Sequence, residues 1–325
     1  MKAVGLISGG LDSALATKII GLQGIEVFGI SFITPFVYPK VEKLAQNIGI
    51  MIKVVDVSKE YLNLIKNPCF GYGKNLNPCI DCHIFMLRRA KEFMFEHKAN
   101  FVVSGEVLGQ RPMSQNKATL GKIEKESGLE GLLLRPLSAK LLPITIPEQN
   151  SWVERGKFFD FSGRSRKPQI ELARQLALEG FGQPAGGCVL TDPGFSRRLK
   201  DLMAYNKEFN LDDIQLLKLG RHFRLSNQAK LVLGRNHQEN QSLIGFMRKG
   251  SMILKPINIP GPTGLLILQH GLVYHDLLEL SAGILVRYCD DKNGKVNISV
   301  ENCERGSYII NCLAMNSEDL DTLRI

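Results

Sequence analysis

Short apolar runs alternate with amphipathic stretches through the first hundred or so residues. KAVGLI (2–7), EVFGISFI (26–33), MIKVVDVS (51–58) and NFVVSGE (100–106) are compact, rich in β-branched and aromatic residues, and predict strands. Between them, apolar residues recur at helical spacing. The pattern predicts helices over about 12–22 and 38–48, a third ending near 66, and a long one over 82–97. Strand and helix in this alternation build βαβ units, so the expected fold class is α/β, a doubly wound parallel sheet with helices on both faces. Ligands of such sheets gather beyond the C-terminal ends of the strands. SGGLDS (8–13), the loop after SFI, and SGE (104–106) all fall at that edge.

From about 107 to 215 the pattern turns helical and basic, with LLLRPL (132–137) a candidate extra strand. Near 216 it changes again: LGRHFRLS, AKLVLGR, SMILKP and GLLILQ read as strands separated by Gly, Pro and Asn turns. The expected organisation is a first domain over 1–216 and a smaller α+β domain over 217–325. A chain of 325 residues with 44% apolar content can fill both cores. It has no run of 18 apolar residues and no signal-peptide pattern, so the expectation is a cytoplasmic protein without a membrane partner.

Charge narrows the partner. The chain carries 41 Lys and Arg against 32 Asp and Glu, net +9, and residues 155–235 alone hold 15 basic against 8 acidic residues. A regional basic excess suits a polyanion.

SGGLDS follows the first strand and opens the first helix, which gives free backbone N–H groups at a helix N-terminus, an anion site. Gly9 and Gly10 allow close backbone approach, and Ser8 and Ser13 add hydroxyls. Asp12 fits if a Mg²⁺ sits there or if it caps the helix. The loop is not a Walker A site, which needs a Lys on the β/γ-phosphates. It closely resembles the PP-loop of the ATP pyrophosphatases (adenine nucleotide alpha hydrolase-like), and that resemblance implies cleavage of ATP between its α- and β-phosphates, with the α-phosphate activating a carbonyl oxygen as an adenylate.

SGEVLGQRPMSQ (104–115) is similar to the S-G-E-x-L-G-Q-x-x-S-Q segment of the tRNA 4-thiouridine synthases, the ThiI group, and LLLRPLSAK (132–140) to the stretch that follows there. The resemblance covers roughly residues 1–200. It implies that Ser104, Gly105, Glu106, Gln110 and Gln115 line the ATP and acceptor-base site.

Of seven cysteines, Cys79 and Cys82 form a C-x-x-C at a helix start and Cys188 stands alone in GGCVLTD. A disulfide framework does not suit the expected compartment. Three readings stay open. Cys79, Cys82 and Cys188 hold a [4Fe–4S] cluster whose fourth iron keeps an open position for hydrosulfide, an arrangement found in some ThiI-like thiolation enzymes. Or one cysteine carries persulfide sulfur and another resolves it. Or the thiols bind structural zinc or nothing. Cys69 as a fourth ligand would close the cluster. His83 reads as a surface or capping residue, and Cys289, Cys303 and Cys312 as small core hydrophobes.

ThiI proteins usually carry an N-terminal RNA-binding THUMP region, and persulfide-using bacterial members often a rhodanese-like domain. With the loop at residue 8 and no such domain following, RNA is expected to dock elsewhere. LGRHFRLSNQAKLVLGRNHQEN is similar to the RNA-binding region of NFACT proteins, and Arg221, Arg224, Lys230 and Arg235 there are candidate phosphate contacts. Arg164, Arg166, Lys167, Arg197, Arg198 and Lys200 would extend the track.

The sequence therefore points to an ATP-dependent tRNA sulfurtransferase using ATP, Mg²⁺ and a [4Fe–4S] cluster, supplied by sulfide or a cysteine desulfurase. 4-Thiouridine is favoured over 2-thiouridine. Catalysis falls to Asp12, Cys79, Cys82 and Cys188. Two rivals remain: a PP-loop enzyme activating a non-tRNA acceptor, which would tolerate Cys188→Ala, and an RNA-binding module with a degenerate nucleotide site, which would form no AMP.

Overall fold

The structure is a computed structural model that describes residues 1–181, 188–268, 275–291, 294–303 and 306–325. The chain divides into two compact units, Met1–Leu190 and Thr191–Ile325.

In the first unit the order is β1 (Lys2–Leu6), α1 (Leu11–Gly21), β2 (Glu26–Ile33), α2 (Glu42–Ile48), β3 (Ile52–Asp56), α3 (Ser58–Lys66), α4 (Cys79–Glu96), β4 (Phe101–Val103), α5 (Lys117–Glu126), β5 (Leu133–Leu134), α6 (Ile146–Gln149) and α7 (Lys167–Gln175). The strands form one parallel sheet in the order β3-β2-β1-β4-β5. β1 is central, and successive residues of its apolar run serve opposite faces. Ala3 joins Leu15, Ile19, Leu44 and Leu172 on the side of α1, α2 and α7, whereas Val4 joins Leu87, Ala90, Phe93 and Ile123 on the side of α4 and α5. The strand order reverses between β1 and β4, which makes their C-terminal ends the switch point of the sheet, where such folds open a crevice. SGGLDS leaves β1 there and SGE leaves β4.

The second unit runs α8 (Pro193–Tyr205), α9 (Leu211–Leu216), β6 (Arg221–Ser226), β7 (Ala229–Leu233), α10 (His237–Ile244), β8 (Ser251–Pro256), β9 (Gly264–Leu268), α11 (His275–Arg287), β10 (Val296–Asn302), β11 (Gly306–Cys312) and α12 (Ser317–Leu323). Its sheet is antiparallel, in the order β11-β10-β8-β9-β7-β6. Leu231 and Leu233 face Ala282 and Leu285 of α11, and Val232 between them faces Leu216 and Leu243 on the other side.

The expected α/β class, its parallel sheet and the smaller α+β partner all stand. Several details differ. The units divide 26 residues ahead of the expected 216/217 boundary, because α8 and α9 fold with the second unit: Asp201 of α8 pairs with Arg224 and Lys230, and Asp213 of α9 with Arg248. The long helix starts at Cys79 rather than near 82, and α2 at Glu42 rather than near 38, beyond Pro39. The strands β10 and β11 had no counterpart in the sequence reading. Only Cys289 of the three C-terminal cysteines is a core residue. Cys303 is exposed, and Cys312 is half-buried with its thiol 3.4 Å from the Glu279 carbonyl. Gln269, which closes GLLILQ, lies outside the described residues. Among the described residues no helix is long and apolar enough to cross a membrane.

Candidate active site

Gly10 occupies the N-cap of α1 in an extended conformation and offers no side-chain cap, which leaves the first-turn amides unclaimed by a side chain. Gly9 is buried with φ +80°, a left-handed backbone that glycine adopts without strain, and a Cβ there would stand 3.1 Å from the Lys40 carbonyl. Ser13 braces the loop internally: its hydroxyl donates to the Gly10 carbonyl at 2.9 Å and accepts from the Ser8 amide at 3.2 Å. The Ser8 side chain is on the exposed side.

Asp12 does not cap the helix. Its Oδ2 accepts from Gln110 Nε2 at 3.1 Å and lies 3.6 Å from Arg166 Nη2. Its Oδ1 is buried and has no hydrogen-bond partner among the described residues. Burial raises its carboxyl above the ordinary range, against the opposing pull of Gln110, Arg166 and Arg111. A buried carboxylate oxygen with no partner is a donor suited to a hard cation such as Mg²⁺.

The second motif meets this loop backbone to backbone. A Cβ on Gly105 would fall 2.4 Å from the Asp12 carbonyl carbon and the Ser13 nitrogen, so only glycine lets the end of β4 press on the first turn of α1. Glu106 is 6% exposed and fully engaged. His83 Nδ1 lies 2.6 Å from one oxygen, while Arg135 Nε at 2.9 Å and Ser104 Oγ at 3.0 Å donate to the other. Arg135, 3% exposed, also donates to Glu124 at 2.8 Å and to the Leu120 carbonyl at 3.2 Å. Burial alone would raise the Glu106 carboxyl; the Arg135 guanidinium and His83 outweigh it and hold it well below the usual carboxylate range. Glu106 and Ser104 thus fasten α4, α5 and the turn after β5 beneath the loop, and neither carboxylate oxygen of Glu106 is open. Gln110 lies against Asp12, and Gln115 is buried with its Oε1 unpartnered among the described residues.

Cys79 and Cys82 sit in the first turn of α4, and Cys188 acts on both Cys82 and the neighbouring Tyr61. Burial pushes the Cys82 thiol up to about 12, against a hydrogen bond from the Tyr61 hydroxyl and with Cys188 and Cys79 adding to the rise. The Cys188 thiol is raised too, by burial and by Cys79, while the Leu190 amide and Arg111 oppose. The three cysteines are therefore neighbours. They are not closed into a ligating set: Asn77 Nδ2 holds the Cys79 sulfur at 3.1 Å and Tyr61 holds Cys82, and no three His, Cys, Asp or Glu side chains among the described residues are arranged to hold a metal ion. Gly186 and Gly187 lie outside the described residues. Cys69 is exposed, its amide donating to Asp81 at 2.8 Å.

Sequence reasoning missed Arg111, Tyr61, Arg135 and the partner of His83. Arg111 is the most informative, because it acts on Asp12, Cys82 and Cys188 alike, linking the loop to the thiols. The lone Arg within LLLRPL was a readable signal, since an Arg inside a buried apolar run needs a charged partner.

Comparison with known proteins fits this geometry. Residues 1–140 match the family described as thiamine biosynthesis protein (ThiI), and residues 220–324 match the NFACT protein RNA binding domain. The first unit is a PP-loop-like α/β fold like that of ThiI. Two curated relatives, each described as a probable tRNA sulfurtransferase and both from Ureaplasma parvum serovar 3, are 33% identical over 147 residues, covering 42% of this chain and 37% of theirs. The chain thus spans a little over a third of the length of these relatives. Among solved structures, a 4-thiouridine synthetase–RNA complex with bound ATP is 21% identical with a TM-score of 0.42, over 67% of this chain and 52% of that one. NMN synthetase from Francisella tularensis is 11% identical with a TM-score of 0.33, over 66% and 82%.

Proposed function

We propose that this chain is an ATP-dependent tRNA sulfurtransferase, and the observation that carries the reading is the convergence, in one unit, of the glycine loop, the unpartnered oxygen of Asp12 and three neighbouring thiols, with Arg111 acting on Asp12 and on two of the thiols, Cys82 and Cys188. The loop amides would hold the phosphates of ATP, with Mg²⁺ on Asp12 Oδ1. A uridine carbonyl oxygen attacks the α-phosphorus, the bond between the α-phosphorus and the bridging oxygen breaks, and pyrophosphate leaves. Sulfur then adds at the activated carbon, loses its proton, and expels AMP together with the original oxygen. AMP is a far better leaving group than hydroxide, so adenylation makes the exchange feasible.

Three neighbouring thiols are soft donors of the kind a metal–sulfur centre takes, and Asn77 and Tyr61 would have to release Cys79 and Cys82 for them to close into a ligating set. A [4Fe–4S] cluster on Cys79, Cys82 and Cys188 would supply an iron with an open position for hydrosulfide. Arg111 would stabilise negative charge between nucleotide and thiols. The target base must be unstacked to reach such a site, and the match of residues 220–324 to an RNA-binding domain supports an RNA substrate. The likeness to ThiI favours 4-thiouridine over 2-thiouridine.

The test is nucleoside mass spectrometry of unmodified tRNA after anaerobic incubation with iron-reconstituted protein, Mg·ATP and sulfide. A thiouridine peak, lost in Cys188→Ala protein, is expected, and its retention time separates the 4-thio from the 2-thio product. AMP release without any thionucleoside would transfer the reading to a non-tRNA acceptor. Visible charge-transfer absorbance and electron paramagnetic resonance of the reconstituted protein read out the cluster independently of turnover.

A further inference from the structure

Most of the basic residues of the second unit that read as a phosphate track are already engaged. Asp201 on α8 accepts from Arg224 Nε at 2.9 Å and Nη2 at 2.7 Å, and from Lys230 Nζ at 3.0 Å. Glu239 holds Arg235. The Arg221 guanidinium lies 4.8 Å over the Tyr288 ring, and that of Arg224 lies 4.3 Å over Tyr205.

Arg198 is different. It stands on α8 one turn before Asp201, half-buried, with its guanidinium 6.0 Å from the Phe195 ring. Its Nε–H is buried and finds no acceptor among the described residues. Charges of both signs act on it: Asp192 most strongly and Glu239 favour its charged form, Arg235 and Arg197 oppose it, and it acts in turn on Lys230 and His222. Both carboxylates also have other partners. Asp192 accepts from the Phe195 amide at 2.6 Å as the cap of α8, and Glu239 holds Arg235 and the Gly220 amide. Burial, with Arg235 and Arg197, lowers the proton affinity of Arg198. A charged fork beside two further arginines, with a desolvated donor left over, is stabilised by an anion that brings its own acceptor oxygens.

We propose that Arg198, flanked by Arg197 and Arg235, is a socket for one tetrahedral oxyanion, and that its occupant is a backbone phosphate of RNA. The occupant rests on the RNA-binding reading above. Arg197 and Arg198 lie on α8, ahead of the 220–324 stretch matched to the RNA-binding domain, and so add an element that the match does not include, while Arg235 lies within it.

The experiment measures tRNA binding by the full chain across a salt series for wild type, Arg198→Gln, Arg198→Lys and a charge control, Arg174→Gln, whose side chain is 76% exposed on α7 of the first unit. In parallel, thermal unfolding is followed with inorganic phosphate against chloride at matched ionic strength. Arg198→Gln should lower the slope of log affinity against log salt by about 0.7–0.9 and weaken binding about tenfold at moderate salt. Arg174→Gln should change neither. Arg198→Lys keeps the charge but not the fork, so it should keep the slope and lose affinity; it also serves if Arg198→Gln does not fold. Phosphate should raise the Tm of wild type more than that of Arg198→Gln. Equal slopes, equal affinities and an equal phosphate effect in Arg198→Gln and the control would overturn the socket. A phosphate effect that depends on Arg198, in a protein that binds no tRNA, would keep the socket and reject RNA as its occupant.

Discussion

Glu106 and Asp12 lie close to the same contact, the one Gly105 makes with α1, yet they are built in opposite ways. Both oxygens of Glu106 are bonded, and its cationic partners hold its carboxyl well below the usual range. Only one oxygen of Asp12 has partners, and burial raises its carboxyl. A closed set of partners marks a residue that holds elements together, whereas an unused acceptor marks one kept for a ligand. The second unit repeats the contrast with the sign reversed, in Asp201 with its two cations and Arg198, whose buried Nε–H finds no acceptor among the described residues.

The comparison breaks hardest at Glu106. Glu106→Gln leaves Arg135 buried beside a neutral amide, and removing one member of a buried pair costs about 3–5 kcal/mol. For a unit of this size that is a drop in Tm of about 6–20 degrees. The sign follows from the depressed folded value: the stabilisation is present above the unfolded carboxyl range near pH 4.5 and is lost as pH falls toward the folded value. Wild type and Glu106→Gln should therefore converge in urea titrations as pH falls below 4. A constant gap down to pH 2 would refute the assignment.

At Asp12 function and stability should separate. Asp12→Asn is expected to cut AMP and thiouridine formation by about 10²–10³-fold, the loss typical of one preorganised electrostatic group. A carboxyl with a raised folded value costs stability once pH exceeds the unfolded value, so the same variant should be as stable as wild type or slightly more so at pH 7, and the advantage should vanish near pH 3. A destabilised Asp12→Asn at neutral pH would move Asp12 to the structural side.

The smallest effect is expected at exposed Arg111. Arg111→Gln should leave stability within about 0.5 kcal/mol and slow alkylation of the Cys188 thiol several-fold at fixed pH, because the cation lowers its proton affinity. Unchanged alkylation would separate Arg111 from the thiols.

The local features were legible. A strand, two glycines and a helix announce the loop because anion binding needs them adjacent in sequence, and the contact through Gly105 appears as a second motif string at the end of another strand. What escaped reading joins distant segments. Nothing near His83 signals that Glu106, 23 residues on, accepts from it, and Tyr61 carries no local mark of its bond to Cys82. The unit boundary was set by a change in pattern at 216, whereas α8 is held to the second unit by Asp201, an ordinary surface residue by sequence. The strand β11 was hidden because it is an edge: Tyr308 and Ile309 are both exposed, so no alternation shows.

The placement of β1 has a consequence for assembly during synthesis. β1 precedes all its partners in the chain, but it pairs on one side with Glu26–Ile30 and on the other with Phe101–Val103, so its second edge stays uncovered until nearly a hundred further residues have been made. Only then does Gly105 reach Asp12 and seat the loop. Long-range parallel pairing of this kind is slow to form and leaves strand edges open meanwhile. The loop proposed to engage the nucleotide is thus translated early and finished late, and a ribosome paused before residue 100 would carry a nascent chain with that loop unfinished.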